Sequence, residues 1–239
     1  MSKCKNCNTE LISDFCHQCG QRSAVYKVTF KETFQDFVDV TFSINAPLIN
    51  TTLLLFSNPG IVFREYLNGR RKSFYKPVSF FIITTFIYII LRSIIDYNPL
   101  TPEGVKVGGE LLIEAGQYMV KNINNIMFLF VFTFGIFLKI FFWKKYSLAE
   151  YIAVAFYAMG IYTILGTILM FYLKYFNSGF KMLPVILFYF YMLYAISNFF
   201  QSKSFFTFIK ISFVYLFSFV LYSGIGFLLS FLIVWLRSK

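Results

Sequence analysis

The sequence predicts an all-α integral membrane protein: about five transmembrane helices, preceded by amphipathic or interfacial helices and by a small zinc-ribbon-like knuckle at the N-terminus. Three observations carry that reading. The 239 residues are 58% hydrophobic and only 14% charged, whereas soluble domains are nearer half apolar and a quarter charged. Five apolar stretches approach the ~20 helical residues that cross a bilayer at ~1.5 Å per residue. All the cysteines fall within the first nineteen residues, as two Cys-x-x-Cys pairs. The chain divides accordingly into a head (1–25), an amphipathic and interfacial segment (26–77) and a membrane bundle (78–239).

In the head, Cys4, Cys7, Cys16 and Cys19 are the only thiols, so two disulfides or one metal site accounts for all of them. A reducing cytoplasm disfavours disulfides. Paired Cys-x2-Cys motifs present four thiolates to one tetrahedral ion, and zinc is the usual occupant. Residues 4–20 are too few to offset their chain entropy by burial, and zinc binding supplies on the order of 10–16 kcal/mol in comparable peptides. Structural zinc is therefore favoured over a redox-active dithiol or an iron–sulfur cluster. Catalytic zinc is weaker still, since four Cys leave no open coordination position. Asn8 follows the first pair and Gly20 the second, where a left-handed residue lets backbone N–H groups point at sulfur. Leu11 and Phe15 are placed to form a small lid, and His17 is not expected to ligate.

Beyond the head, Val28–Phe42 sets Phe30, Phe34, Phe37 and Val38 at helical spacing against Lys31, Glu32, Gln35, Asp36 and Asp39. Its acidic polar face favours packing against the protein over lying on a membrane. The apolar run Leu48–Phe56 is about half a membrane thickness and cannot span alone; it is interfacial or re-entrant. Asn58-Pro59 reads as a cap and first helical turn and Gly69 as a C-cap, which gives a short basic helix from about Pro59 to Asn68.

The spans are expected at about 78–95, 123–143, 151–173, 183–200 and 211–236. Ten of the 22 basic residues precede position 77, and Arg64, Arg70, Arg71, Lys72 and Lys76 bunch just ahead of the first span. That is the positive-inside pattern of a cytoplasmic N-terminus, with a surface cluster drawn to anionic headgroups by about 1 kcal/mol per charge. Nucleic acid is the weaker explanation of the net charge of +11. The following loop, with Asp96, Glu103, Glu110 and Glu114, then falls outside. Lys174, Lys181, Arg237 and Lys239 disagree with this orientation and make the last three spans the least secure. No cleavable leader is expected, since no apolar run begins at the N-terminus.

Cys4-Lys5-Asn6-Cys7, Phe15-Cys16-His17-Gln18-Cys19-Gly20-Gln21, the Phe-rich helix, Asn58-Pro59-Gly60, Arg64-Glu65-Tyr66-Leu67-Asn68-Gly69-Arg70-Arg71 and Pro77 together resemble a bacterial membrane family known only as domain of unknown function 3667. The resemblance covers roughly the first 95 residues. It implies a zinc-ribbon-like head on a helical membrane region, and no reaction.

The bundle carries little chemistry of its own. Arg92 and Asp96 are helix-spaced near one end of the first span, Lys139 lies within reach of an interface, and Glu150 is placed to cap the third span. No His relay, carboxylate ladder or glycine-rich phosphate loop occurs, and with one histidine many enzyme classes become improbable. The 34 Phe are read as lipid-facing residues of an AT-rich coding sequence rather than as aromatic cages. Small residues recur at Ala149, Ala153 and Gly160 in the third span and at Ser218, Gly226 and Ser230, with Tyr222 between, in the fifth. They permit close helix packing inside the bundle or, less favoured, a homo-oligomer contact. The sequence favours a non-enzymatic adaptor, sensor or scaffold whose zinc head binds a cytosolic protein. The alternative is a transporter, channel or lipid-handling protein with a regulatory head.

Overall fold

The computed structural model describes residues 3–23, 48–97, 109–122, 126–176 and 180–238. The expected amphipathic helix Val28–Phe42 lies outside the described residues. Those described form eight α-helices: α1 Leu48–Ser57, α2 Pro59–Leu67, α3 Pro77–Ile94, α4 Glu110–Lys121, α5 Phe128–Phe141, α6 Leu148–Tyr175, α7 Leu183–Phe200 and α8 Phe205–Arg237. The head adds two isolated β-bridges, Lys3 with Glu10 and Phe15 with Arg22.

Four helices, α3, α6, α7 and α8, are long and apolar enough to cross a membrane. Within the fifth expected span, 123–143, helix α5 has 14 residues, about 21 Å against a hydrocarbon core of about 30 Å, and residues 123–125 lie outside the described ones. At its C-terminal end the Lys139 ammonium donates to the carbonyls of Trp143 and Tyr146. The direction expected of that span is nonetheless present. Tyr151 donates to the Phe142 carbonyl and Phe128 packs on Phe156, so α5 runs antiparallel to α6. Phe141 stacks on Phe213 and Phe130 meets Tyr222 edge-on, so α5 is antiparallel to α8 as well. The 33-residue α8 outruns α5, and α4 covers its far half: Met119 and Ile126 close over Gly226, and the Arg237 guanidinium lies 5.2 Å from the Tyr118 ring centre.

α6 is the central helix. Its start is fixed by a capping box, in which the Ser147 N–H donates to Glu150 Oε2 at 2.6 Å and the Glu150 N–H donates to Ser147 Oγ at 3.3 Å, the arrangement that satisfies two orphan donors at once. Residues 149–161 are buried on every side, with small side chains admitting neighbours: a Cβ on Gly160 would stand 2.4 Å from the Phe80 ring. α3 runs parallel to α6, tied by Tyr157 donating to the Tyr75 carbonyl, by a buried Thr163–Thr84 hydroxyl pair at 2.9 Å, and by the Lys174 ammonium donating to the Asp96 carbonyl at 3.0 Å. α7 is antiparallel to both α6 and α8, through Tyr162 on Phe188 and Tyr189 with Ser212. The Ser218, Tyr222, Gly226 and Ser230 stripe of α8 is buried inside the bundle, toward α4 and α5.

α1 and α2 do not lie apart from this bundle. Tyr191 donates to the Leu55 carbonyl at 3.2 Å, Phe63 packs edge-on against Phe199, and Val62 and Phe63 are fully buried. The pair is wedged against the end of α7 from which the chain turns into α8. Asn58 and Pro59 do start α2, but the cap is the Asn58 backbone carbonyl, which accepts from the Ile61 N–H at 3.1 Å. Its side chain makes no cap bond.

Candidate metal centre and its seat on the bundle

Residues 3–23 fold as two matching knuckles. The Asn8 N–H donates to the Cys4 carbonyl at 2.9 Å, and the Gly20 N–H donates to the Cys16 carbonyl at 2.7 Å. Each turn then reverses through a left-handed residue, Asn8 at φ 60° and Gly20 at φ 67°, the conformation that glycine and asparagine adopt at least cost. The symmetry brings all four sulfurs together, within 4.8 Å of one another. Cys4 and Cys19 are 3.6 Å apart, Cys7 and Cys16 3.5 Å, and Cys7 and Cys19 3.6 Å. A tetrahedral ion with ~2.3 Å bonds to sulfur needs edges of about 3.8 Å, so the donor set fits one metal ion. The cysteines are free thiols.

The four thiols differ before any metal is bound. Hydrogen bonds from Thr9 hold Cys7 down to about 6, whereas burial pushes Cys19 up to about 11. Cys4 and Cys16 are buried, and Cys7 and Cys19 partly so. His17 is exposed and outside the cluster. Phe15 forms no closed lid. It is 52% exposed, with the Arg22 guanidinium 5.7 Å above its ring, and Ile12 is 82% exposed.

The head is seated on the loop that follows α2. Gln21, 4% exposed, donates through Nε2 to the Gly69 carbonyl and accepts from the Lys72 N–H at 3.4 Å. Ser73 Oγ donates to Asn6 Oδ1. Gly69 takes φ 107° to present its carbonyl here, a conformation in which a side chain is strained. Sequence reasoning placed Gly69 as a helix end and missed this seat. The pattern offered no signal for it, because a Gln after a Cys-x-x-Cys-Gly turn is as compatible with solvent as with a neighbour.

The five basic residues expected at the membrane surface take separate positions. Arg64 reaches across to the end of α7, where its guanidinium donates to the carbonyls of Asn198 and, at 3.1 Å, Phe199. It thus adds a cationic donor at the helix C-terminus, where the Asn198 carbonyl also accepts from the Gln201 N–H at 3.2 Å. Arg70 pairs with Glu65 at 3.0 Å on the surface. Arg71 lies over the Tyr66 ring. Lys72 is exposed, and its ammonium stands 3.8 Å from where a Cβ on Gly20 would be, close to the thiol cluster. Lys76 precedes α3, its carbonyl accepting from the Phe80 N–H at 2.8 Å. The α2–α7 junction is tight enough to need a glycine: a Cβ on Gly60 would come within 2.5 Å of the Asn198 backbone.

Comparison with curated proteins and with solved structures yields no match. Residues 46–89 match a family described as Protein of unknown function (DUF3667). The matched segment is α1, α2, the loop that seats the head, and the first two-thirds of α3, so the resemblance read from Asn58-Pro59-Gly60 and Arg64 to Arg71 is borne out there.

Proposed function

We propose that the protein is a non-enzymatic, multi-pass membrane scaffold whose cytosolic head, closed around one structural zinc ion, holds a docking surface for a cytosolic protein. One observation carries this reading: the head is fixed to the bundle by Gln21 and Asn6 while Ile12 and Phe15 are held outward. Two apolar side chains left in the open on a metal-organised knuckle suit a partner, which favours aromatic and aliphatic anchors presented on a rigid support. Zinc is the ion favoured by four thiolates in tetrahedral reach. The exposed Lys72, beside the cluster, offsets part of the negative charge that a zinc–tetrathiolate centre carries and faces anionic headgroups at its rim.

The test is site-specific photo-crosslinking in cells, with the reactive residue at Ile12. The expected result is a discrete protein adduct that disappears in the Cys16→Ser, Cys19→Ser double variant. Absence of any adduct from a wild-type protein that carries its metal and reaches the membrane in normal amount would overturn the scaffold reading. Elemental analysis of the purified chain should give about one zinc per chain; a different metal would overturn the zinc assignment while leaving the docking surface open to the first test.

A further inference from the structure

At the end of the bundle away from the head, α3 to α8 leave a cavity of about 290 Å³. Its wall is almost wholly apolar or aromatic. Four of the chain's seven methionines line it, and Met is the side chain that adapts most readily to a slender, irregular occupant. Seven lining residues carry a hydroxyl: Thr163, Ser223 and the tyrosines Tyr88, Tyr97, Tyr162, Tyr215 and Tyr222, whose rings add to the apolar wall. Among the lining residues one carries a charge, Lys181, and none is acidic. Lys181 is exposed and lies two residues before α7 begins. Since α7 is itself long enough to span, its first turn marks the level of the interface, and Lys181 stands there at the rim of an apolar chamber.

We propose that this cavity is a binding site for an apolar chain with an anionic head, the chemistry shared by a free long-chain carboxylate and by one chain of an anionic phospholipid. The apolar chain fills the cavity, and the head pairs with the Lys181 ammonium at its rim. A neutral apolar molecule would fill the same space and leave Lys181 unpaired; a cationic amphiphile would be repelled. The volume, at the lower end of the ~300–1,000 Å³ of small-molecule pockets, suits part of one chain and excludes the body of a two-chain lipid. The site is independent of the head and of its metal.

The experiment uses the full chain in nanodiscs of zwitterionic lipid, with cis-parinaric acid as the fluorescent probe. The expected result is saturable binding of about one probe per chain. Displacement by oleate and not by added phosphatidylglycerol identifies the free carboxylate as the occupant; displacement by phosphatidylglycerol as well identifies the phospholipid chain. Lys181→Gln should weaken the carboxylate about fivefold, the worth of one exposed ion pair, and leave oleyl alcohol competition unchanged. Gly166→Leu fills the wall beside Tyr88, whose ring lies 3.5 Å from the position of a Cβ there, and should abolish binding. Ser223→Phe does so from the opposite helix, and at least one of the two variants should melt like the wild type. Non-saturable partitioning, equal loss of acid and alcohol in Lys181→Gln, or unchanged binding in a stably folded Gly166→Leu or Ser223→Phe variant would overturn the proposal.

Discussion

The head and the bundle solve the same problem by opposite means. In residues 3–23 the buried hydrophobic positions are two cysteines, Cys4 and Cys16, and four sulfurs do what a core does elsewhere. In α6 the central stretch is buried on every side by aromatic and small residues from α3, α5 and α7. A fold held by one ion is lost all at once when the ion leaves, because the ion's binding free energy is its folding free energy. A fold held by packing is lost in increments, one contact at a time. The two parts should therefore fail independently, and each can be broken without the other.

The largest effect is expected from the head. The Cys16→Ser, Cys19→Ser double variant should lose the metal entirely and unfold residues 3–23, removing a contribution on the order of 10 kcal/mol. The helical content of the bundle, read by circular dichroism in detergent, should stay within error of the wild type. Acidification should act in the same direction and more gradually. A metal ion competes with the proton on Cys19 at any pH below about 11, and with the proton on Cys7 only below about 6. Affinity, followed by titration against a chelator, should rise with pH through the neutral range and fall more steeply once the pH drops under 6, where Cys7 is protonated too. A metal affinity independent of pH between 5 and 8 would contradict thiolate ligation.

The reverse break lies at the α2–α7 junction. Gly60→Ala drives a Cβ into the Asn198 backbone, which cannot yield as a side-chain tip can, and overpacking of this kind costs about 1–3 kcal/mol or more. Arg64→Met keeps the packing of the stem and removes the hydrogen bonds to Asn198 and Phe199, at about 1.5–3 kcal/mol for bonds from a charged donor. Both variants should lower the thermal unfolding midpoint of the bundle while one metal ion per chain is retained. Concurrent loss of the metal would show that the head depends on the bundle for its fold.

Legibility in the sequence follows the same division. The metal ligands, the left-handed Asn8 and Gly20, and the capping box at Ser147 and Glu150 could all be read from spacing, because each depends on neighbours a few residues away. The ends of α7, predicted at 183 and 200, could be read because an apolar run stops where the bilayer does. The end of α5 at Phe141 could not be read from hydropathy alone, since Phe142 and Trp143 score as membrane as well. Least legible were contacts between segments more than fifty residues apart. Arg64 belongs by composition to a juxtamembrane basic cluster, and only the fold shows that it is spent on the last turn of α7. The stripe of Ser218, Gly226 and Ser230 announced a close approach without naming its partner.

The smallest effect tests the one place where the two parts meet. Gln21 binds the Gly69 carbonyl and the Lys72 N–H from a buried position, yet it is not a metal ligand and touches no core helix. Gln21→Leu should leave the metal bound and the unfolding midpoint of the bundle within error. The expected change is local, about 1 kcal/mol for each hydrogen bond lost, and it should appear as faster amide exchange at Lys72 and as a broader distance distribution between spin labels placed on the head and on α2. If the head then still forms the crosslink expected at Ile12, its partner recognises the knuckle alone. Loss of that adduct with the metal retained would mean that the partner reads the head and the basic loop as one surface. In that case the seat formed by Gly69, Lys72 and Ser73 belongs to the binding site, and its position inside the matched family segment acquires a reason.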